Sequence, residues 1–222
     1  MNSKKNPMNV KRLCVLAMFC ALAFVLTYIK LPVAFLSLEI KDAAIVLATL
    51  LLGPLAGLSI AVLVPLLEMI SHSTTGVYGM IMNMLSSVTF SMVTGLIYKY
   101  KKSFYGAVVG LLSGVFSVTA VMMLANLFVT PYYMGVSVSE VAALIPKLLL
   151  PFNFIKATLN GAVVLLMYKP LSRVLKRARL LPTSPSAHGS SVAVSRGRSV
   201  WVSVVALCVI VLSLAIVFFV LR

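Results

Sequence analysis

An amine and two amides stand close together at Asn153, Lys156 and Asn160, in the stretch Pro151-Phe152-Asn153-Phe154-Ile155-Lys156-Ala157-Thr158-Leu159-Asn160 that leads into a long apolar run. On a helix these positions fall at i, i+3 and i+7, so the three side chains project from one face. In a membrane-spanning segment each such group is costly unless it has a partner, and one face bearing all three can hold one polar ligand. The competing reading is that Lys156 reaches back to a lipid headgroup while the two asparagines bond neighbouring helices. Lys156 lies well inside the run that begins near Pro146, deeper than a snorkelling lysine usually sits.

The elements that carry these side chains follow from composition. The chain has 222 residues, of which 61% are hydrophobic and 10% charged, and this pattern excludes a soluble globular domain in favour of an all-α polytopic membrane protein. The net charge of +15 is not a nucleic-acid signal, because the lysines and arginines cluster in short connections between apolar runs. Only four acids are present, Glu39, Asp42, Glu68 and Glu140, with two histidines and no phosphate-binding loop. Paired-carboxylate hydrolysis and a His-rich metal site are disfavoured, no catalytic residue and no cofactor is assigned, and any ATP hydrolysis must come from another chain. Cys14, Cys20 and Cys208 lie in apolar runs without metal or redox spacing.

In chain order, residues 1–12 are a basic, cytoplasmic amino terminus by the charge rule, and a first span runs from Leu13 to about Leu31. Ala17 and Ala21 on that span have the small-xxx-small spacing that lets another helix approach closely. Residues 32–42, "PVAFLSLEIKD", form an outer segment where Glu39, Lys41 and Asp42 gather, Asp42 being placed either to favour the amino end of the next helix or to touch ligand. The apolar run 43–70 is interrupted by Gly53-Pro54 and Gly57, which splits it into two short spans with a tight inner turn. The split also returns Lys99, Lys101 and Lys102 to the cytoplasm. The loop "SHSTTGV" at 71–77 offers hydroxyls, among them Thr75, and a glycine, Gly76, that can approach a polar ligand.

Further spans are expected at about 78–98, 104–133 and 146–168, with an outer connection or short interfacial helix at 136–145. Residues 13–179 thus form a six-helix core. Residues 180–200 are a Ser/Pro/Gly-rich linker and 201–222 an additional transmembrane helix almost without polar side chains. With this topology Asn83, Asn126, Asn153 and Lys156 all lie toward the outer ends of their spans. They converge on one outward-open polar pocket roofed by residues 32–42. Glu68 and His72, at i and i+4 near an outer helix end, are the nearest approach to an acid–base pair, and surface solvation accounts for them better than chemistry. An embedded enzyme would need such a pair within the bilayer. A membrane scaffold would have no reason to gather polar side chains at one depth.

Four stretches in order, "FLSLEIKDAA" at 35–44, "LLGPLAGL" at 51–58, "STTGVYGMIMNMLSS" at 73–87 and "LPFNFIKATLN" at 150–160, resemble the substrate-binding S components of energy-coupling factor (ECF) vitamin transporters, most closely the riboflavin-specific RibU group. The resemblance covers about residues 8–178. It implies six helices with both core ends cytoplasmic, in the plasma membrane of a prokaryote, and a vitamin captured from outside. The partners it implies are a transmembrane coupling protein and two ATPase subunits. By the same resemblance Asn126, Asn153 and Lys156 hold the flavin ring and its sugar-alcohol chain. The segment from Leu36 through Leu38 and Glu39 to Asp42 closes the site, and Ala17 and Ala21 form the seam that docks on the coupling protein. Riboflavin is the ligand implied, with another vitamin or precursor as the alternative. The chain departs from the group at Glu39-Ile40-Lys41-Asp42, where the usual pattern resembles Asp-Phe-Ser-Asp, and in its seventh hydrophobic segment.

Overall fold

A computed structural model describes residues 10–73, 75–178, 180 and 196–219. Most of the linker at 180–200 and residues 1–9 of the basic amino terminus lie outside the described residues. The described elements are α1 (Val10–Leu26), a hairpin of β1 (Lys30–Val33) and β2 (Leu36–Glu39), then α2 (Lys41–Leu52), α3 (Pro54–Ser71), α4 (Gly76–Tyr100) and α5 (Phe104–Met134). They continue with α6 (Val138–Leu144), a π-helical turn (Ile145–Leu149), α7 (Leu150–Arg177) and α8 (Arg196–Phe219). Helices α3, α4, α5 and the stretch Val138–Leu175 are long and apolar enough to cross a membrane.

Helix α2 is the centre of the bundle. Its run Ala43-Ala44-Ile45-Val46-Leu47-Ala48-Thr49-Leu50 is apolar on every side apart from Thr49, and a helix with no polar face belongs inside. The whole run is buried, packed against α1, α3, α4 and α7. The expected break at Gly53-Pro54 is present. Gly53 has φ +101°, a conformation that favours glycine, and Pro54 begins α3, where a missing N–H costs nothing. Arg12 of α1 donates from Nη2 to the Leu52 carbonyl at 2.7 Å, placing a cation on the otherwise unpaired carbonyl end of α2.

Three helices meet closely at Thr49. A Cβ added at Gly57 of α3 would collide with Thr49 Oγ1, and one added at Gly95 of α4 would collide with Thr49 Cγ2. The absence of side chains there sets the approach of α2, α3 and α4. Gly57→Val should therefore cost about 1–3 kcal/mol through overpacking, seen as a lower unfolding midpoint in detergent. Adding Thr49→Ala should recover part of the loss. An unchanged midpoint for Gly57→Val would show that the seam has room to spare.

One sequence expectation changes here and another gains detail. The first helix ends at Leu26, not near Leu31, because the chain turns at Thr27, whose hydroxyl donates to the Phe24 carbonyl at 2.6 Å. The outer segment at 32–42, to which the sequence assigned no regular structure, is built on a β-hairpin with Lys30 opposite Glu39 and Val33 opposite Leu36. Its two-residue turn is Ala34-Phe35, with Ala34 in the left-handed region at φ 52°. At the other end, α7 continues past Tyr168 to Arg177, and α6 supplies a short helix in the outer connection. Helix α8 lies along α7 with Ala206 and Ser213 buried. Its Ile210 and Ile216 pack against the cluster formed by Val33, Leu38, Phe152, Ile155 and Leu159.

Candidate functional site

The hairpin, α4, α5 and the start of α7 line a pocket that is partly open to the outside. Asn83 comes from α4, Asn126 from α5, and Asn153 and Lys156 from α7, so the four polar residues expected to converge line one space. Leu36 and Thr75 line it too. Aromatic and apolar surface completes the walls: Phe35 at the hairpin turn, Phe152, Met82, and Tyr78 with Tyr133, whose rings lie 6.3 Å apart at the α4–α5 edge. A flat apolar ligand body with polar edges suits such a space.

Each polar group is held differently. Asn126 donates from Nδ2 to the Met122 carbonyl at 2.6 Å, and its Oδ1 accepts from the Thr130 hydroxyl at 2.8 Å. Asn153 donates from Nδ2 to the Leu149 carbonyl at 2.7 Å, and no group among the described residues donates to its Oδ1. Both amides are thus anchored through nitrogen to the preceding turn of their own helix. Lys156 is only 9% exposed and, among the described residues, has no hydrogen bond or ion pair. Buried polar groups almost always have partners, so a buried ammonium at a cavity wall is a donor set available to a ligand.

Other expected site residues are placed elsewhere, with definite work. Asn160 does not line the cavity. Its Oδ1 accepts from the Ala43 backbone N–H at 2.8 Å, and its Nδ2 donates to the Glu39 carbonyl at 2.8 Å and the Lys156 carbonyl at 2.9 Å. It caps the amino end of α2 from α7 and fixes the base of the hairpin. Asp42 makes no side-chain cap but stands in the first turn of α2, where its charge favours the helix's amino end as expected, and it accepts from the Ser87 hydroxyl of α4 at 2.5 Å rather than lining the cavity. Leu38 packs in the cluster with Val33 and Phe152, and neither it nor Gly76 lines the cavity.

Glu39 also turns away from the cavity, into a buried ion cluster. Lys41 Nζ lies 2.6 Å from Glu39 Oε2 and 2.6 Å from Glu68 Oε2, Lys30 pairs with Glu68 Oε1, and Lys30 lies 3.7 Å from Glu39 Oε1. The Ser37 hydroxyl donates to Glu39 Oε1 at 2.8 Å. Burial pushes the Glu39 carboxyl up, but the charges of Lys156 and Lys41, with the hydrogen bonds it accepts, outweigh burial and hold it down at about 2. Glu68 is the main correction to the sequence reading. It is 4% exposed and central to the cluster, so it is not a solvated surface acid. His72 is no acid–base partner to it, since His72 Nε2 lies 3.2 Å from the Thr27 hydroxyl and its ring stacks on Tyr28 at 4.0 Å.

Several cavity residues escaped the sequence reading, chiefly Tyr78, Phe152 and Tyr133, while Phe35 and Ser37 fell within the expected roof at 32–42 without being singled out. Phe152, four residues before Lys156, could have been found by following the helical face of Lys156 from polar to aromatic. Phe35 could not, because its position depends on the hairpin. Ala17 and Ala21 are exposed on the outer face of α1, away from the cavity.

Comparison with known proteins gives a consistent set of likenesses. A profile of the family described as "ECF transporter, substrate-specific component" matches residues 11–168. The chain is 34% identical over 184 residues to the riboflavin transporter RibU of Staphylococcus aureus (strain TCH60), covering 78% of this chain and 97% of that protein. It is 29% identical over 185 residues to the riboflavin transporter FmnP of Bacillus subtilis (strain 168), with the same coverage of 78% and 97%. A solved structure described as the S component of a bacterial ECF transporter superposes with a TM-score of 0.65 at 34% identity, covering 75% of this chain and 98% of that one.

Proposed function

Because this chain belongs to the family of ECF transporter substrate-specific components, we propose that it is a riboflavin-binding S component that captures the vitamin in the cavity between the hairpin, α4, α5 and α7. The observation that carries this reading is Lys156, a buried cation on the cavity wall that acts on Glu39 through its charge but has no hydrogen bond or ion pair among the described residues, beside Asn153, whose amide oxygen accepts from no described group. A flavin presents a flat ring for the aromatic walls, ring-edge donors and acceptors for amides and an ammonium, and a polyhydroxyl chain for the remaining polar groups. The departure at Glu39-Ile40-Lys41-Asp42 does not weigh against riboflavin, because none of those side chains lines the cavity.

In this proposal a six-helix core, formed by α1 to α5 and α7, works in the cell membrane of a prokaryote with its amino end cytoplasmic, and α8 is an addition to it. The exposed Ala17 and Ala21 face of α1 docks on a transmembrane coupling protein. Two ATPase subunits supply the energy for reorientation and release, and the chain itself catalyses no reaction. The hairpin, which carries Phe35, Leu36 and Ser37 over the cavity, is the element that covers bound ligand.

The test is titration of the detergent-purified chain with riboflavin, following quenching of flavin fluorescence, with thiamine and pantothenate as controls. Saturable quenching by riboflavin, undisturbed by excess of either control, is the expected result. A well-folded sample that leaves flavin fluorescence unchanged would overturn the ligand assignment.

A further inference from the structure

We propose that Glu68 is a positioning residue for ligand selection: it holds the Asn83 amide with its nitrogen turned away from the ligand, so that Asn83 offers an acceptor oxygen and selects a hydrogen-bond donor. The inference rests on the riboflavin reading above. Glu68 lies on α3 and does not line the cavity, whereas Asn83 on α4 does. Asn83 Nδ2 donates to Glu68 Oε2 at 3.3 Å, and the same oxygen takes Lys41 Nζ at 2.6 Å, while Oε1 takes Lys30. Toward three such donors the carboxylate acts only as an acceptor, so the end of the Asn83 amide that faces it must be the NH2 group. The planar amide then carries its oxygen to the other side. Among the described residues no protein group donates to that oxygen.

The contrast with the other two amides sharpens the point. Asn126 and Asn153 are oriented by carbonyls of their own helices four residues back. Any helix supplies such a carbonyl, so their orientation is local. Asn83 is oriented from another helix, by a carboxylate that also holds the hairpin through Lys30 and the start of α2 through Lys41. The acceptor that Asn83 presents is therefore conditional on the ion cluster beneath the hairpin. In riboflavin the matching donor is the ring N–H or a hydroxyl of the side chain.

The experiment is a double-mutant cycle on riboflavin affinity with Glu68→Gln and Asn83→Ala, read by fluorescence quenching in the full chain. A glutamine can donate as well as accept, so it leaves the Asn83 amide free to turn over. Each single change should weaken binding about tenfold, and the double variant should bind no more weakly than Asn83→Ala alone, because Glu68 acts through Asn83. Losses that multiply would overturn the proposal and leave Glu68 a purely structural residue. Should Glu68→Gln not fold, wild type and Asn83→Ala are compared with 3-methylriboflavin, which lacks the ring N–H, and lumiflavin, which lacks the hydroxyl chain. The Asn83→Ala penalty should vanish for whichever analogue lacks the donor, and an equal penalty with both analogues would overturn the proposal. Failure of the wild-type chain to bind riboflavin would instead overturn the functional reading, and this inference with it.

Discussion

Lys156→Met weakens riboflavin binding by about 10- to 100-fold, the value of one or two hydrogen bonds from a charged donor in a site shielded from water. Methionine keeps most of the side-chain length and its apolar stem, so the wall of the cavity near Phe152 stays filled while the donors disappear. Because Lys156 has no hydrogen bond or ion pair among the described residues, its loss breaks no close contact and removes only its longer-range attraction for Glu39, which keeps Lys41 and Lys30. The unfolding midpoint in detergent should therefore fall little compared with the affinity. Equal affinity for wild type and Lys156→Met, measured by flavin fluorescence quenching, would mean that the ligand sits elsewhere. A collapse of stability would mean instead that Lys156 serves chiefly to balance Glu39.

The opposite pattern is expected at Lys41. Its side chain is fully buried between Glu39 and Glu68, with Lys30 on the outer side of the same two acids. Lys41→Met leaves two buried carboxylates with one ion-pair partner among the described residues, Lys30, whose side chain is 26% exposed and which already serves both, and with the more distant charge of Lys156 on Glu39. Breaking a buried pair by removing one partner typically costs about 3–5 kcal/mol, because the remaining charge is desolvated without compensation. A steep drop in the unfolding midpoint, or in the yield of monodisperse protein, is the expected result. Lys41→Met combined with Glu39→Gln leaves one acid to one base, Glu68 to Lys30, and should recover much of the loss. If the double variant is no better than Lys41→Met, packing and not charge explains the role of Lys41.

Much of this arrangement was legible in the sequence. The break at Gly53-Pro54 announced itself through two residues that punctuate helices. The convergence of Asn83, Asn126, Asn153 and Lys156 followed from counting spans, because a polar residue has a depth once topology is known. What could not be read depended on partners distant in sequence. Glu68 looked like a solvated acid beside His72, since its partners Lys30 and Lys41 are 38 and 27 residues away. The hairpin was hidden because its turn, Ala34-Phe35, lacks the glycine or asparagine that marks two-residue turns, and Pro32 in β1 argues against a strand.

Asn160 teaches a narrower lesson. Its spacing from Asn153 places it on the same helical face, but seven residues of helix also carry it roughly 10 Å deeper. A shared face was necessary for a shared site, and it was not sufficient. The cavity ends near Lys156, and Asn160 lies beneath its floor, spending its amide on the Ala43 N–H and the Glu39 carbonyl.

The buried cluster of Lys30, Glu39, Lys41 and Glu68 also bears on how such a sequence can drift. Two cations and two anions packed together form a unit in which the effect of each substitution depends on the others. A neutral replacement at position 39, 41 or 68 is harmful alone and tolerable beside a compensating one, so evolutionary paths through this region run by paired steps. Glu39-Ile40-Lys41-Asp42 thus cannot be judged as a local motif. Its counterpart is Glu68, on a different helix, and these positions are expected to covary across lineages, while the residues on the cavity wall answer to the ligand.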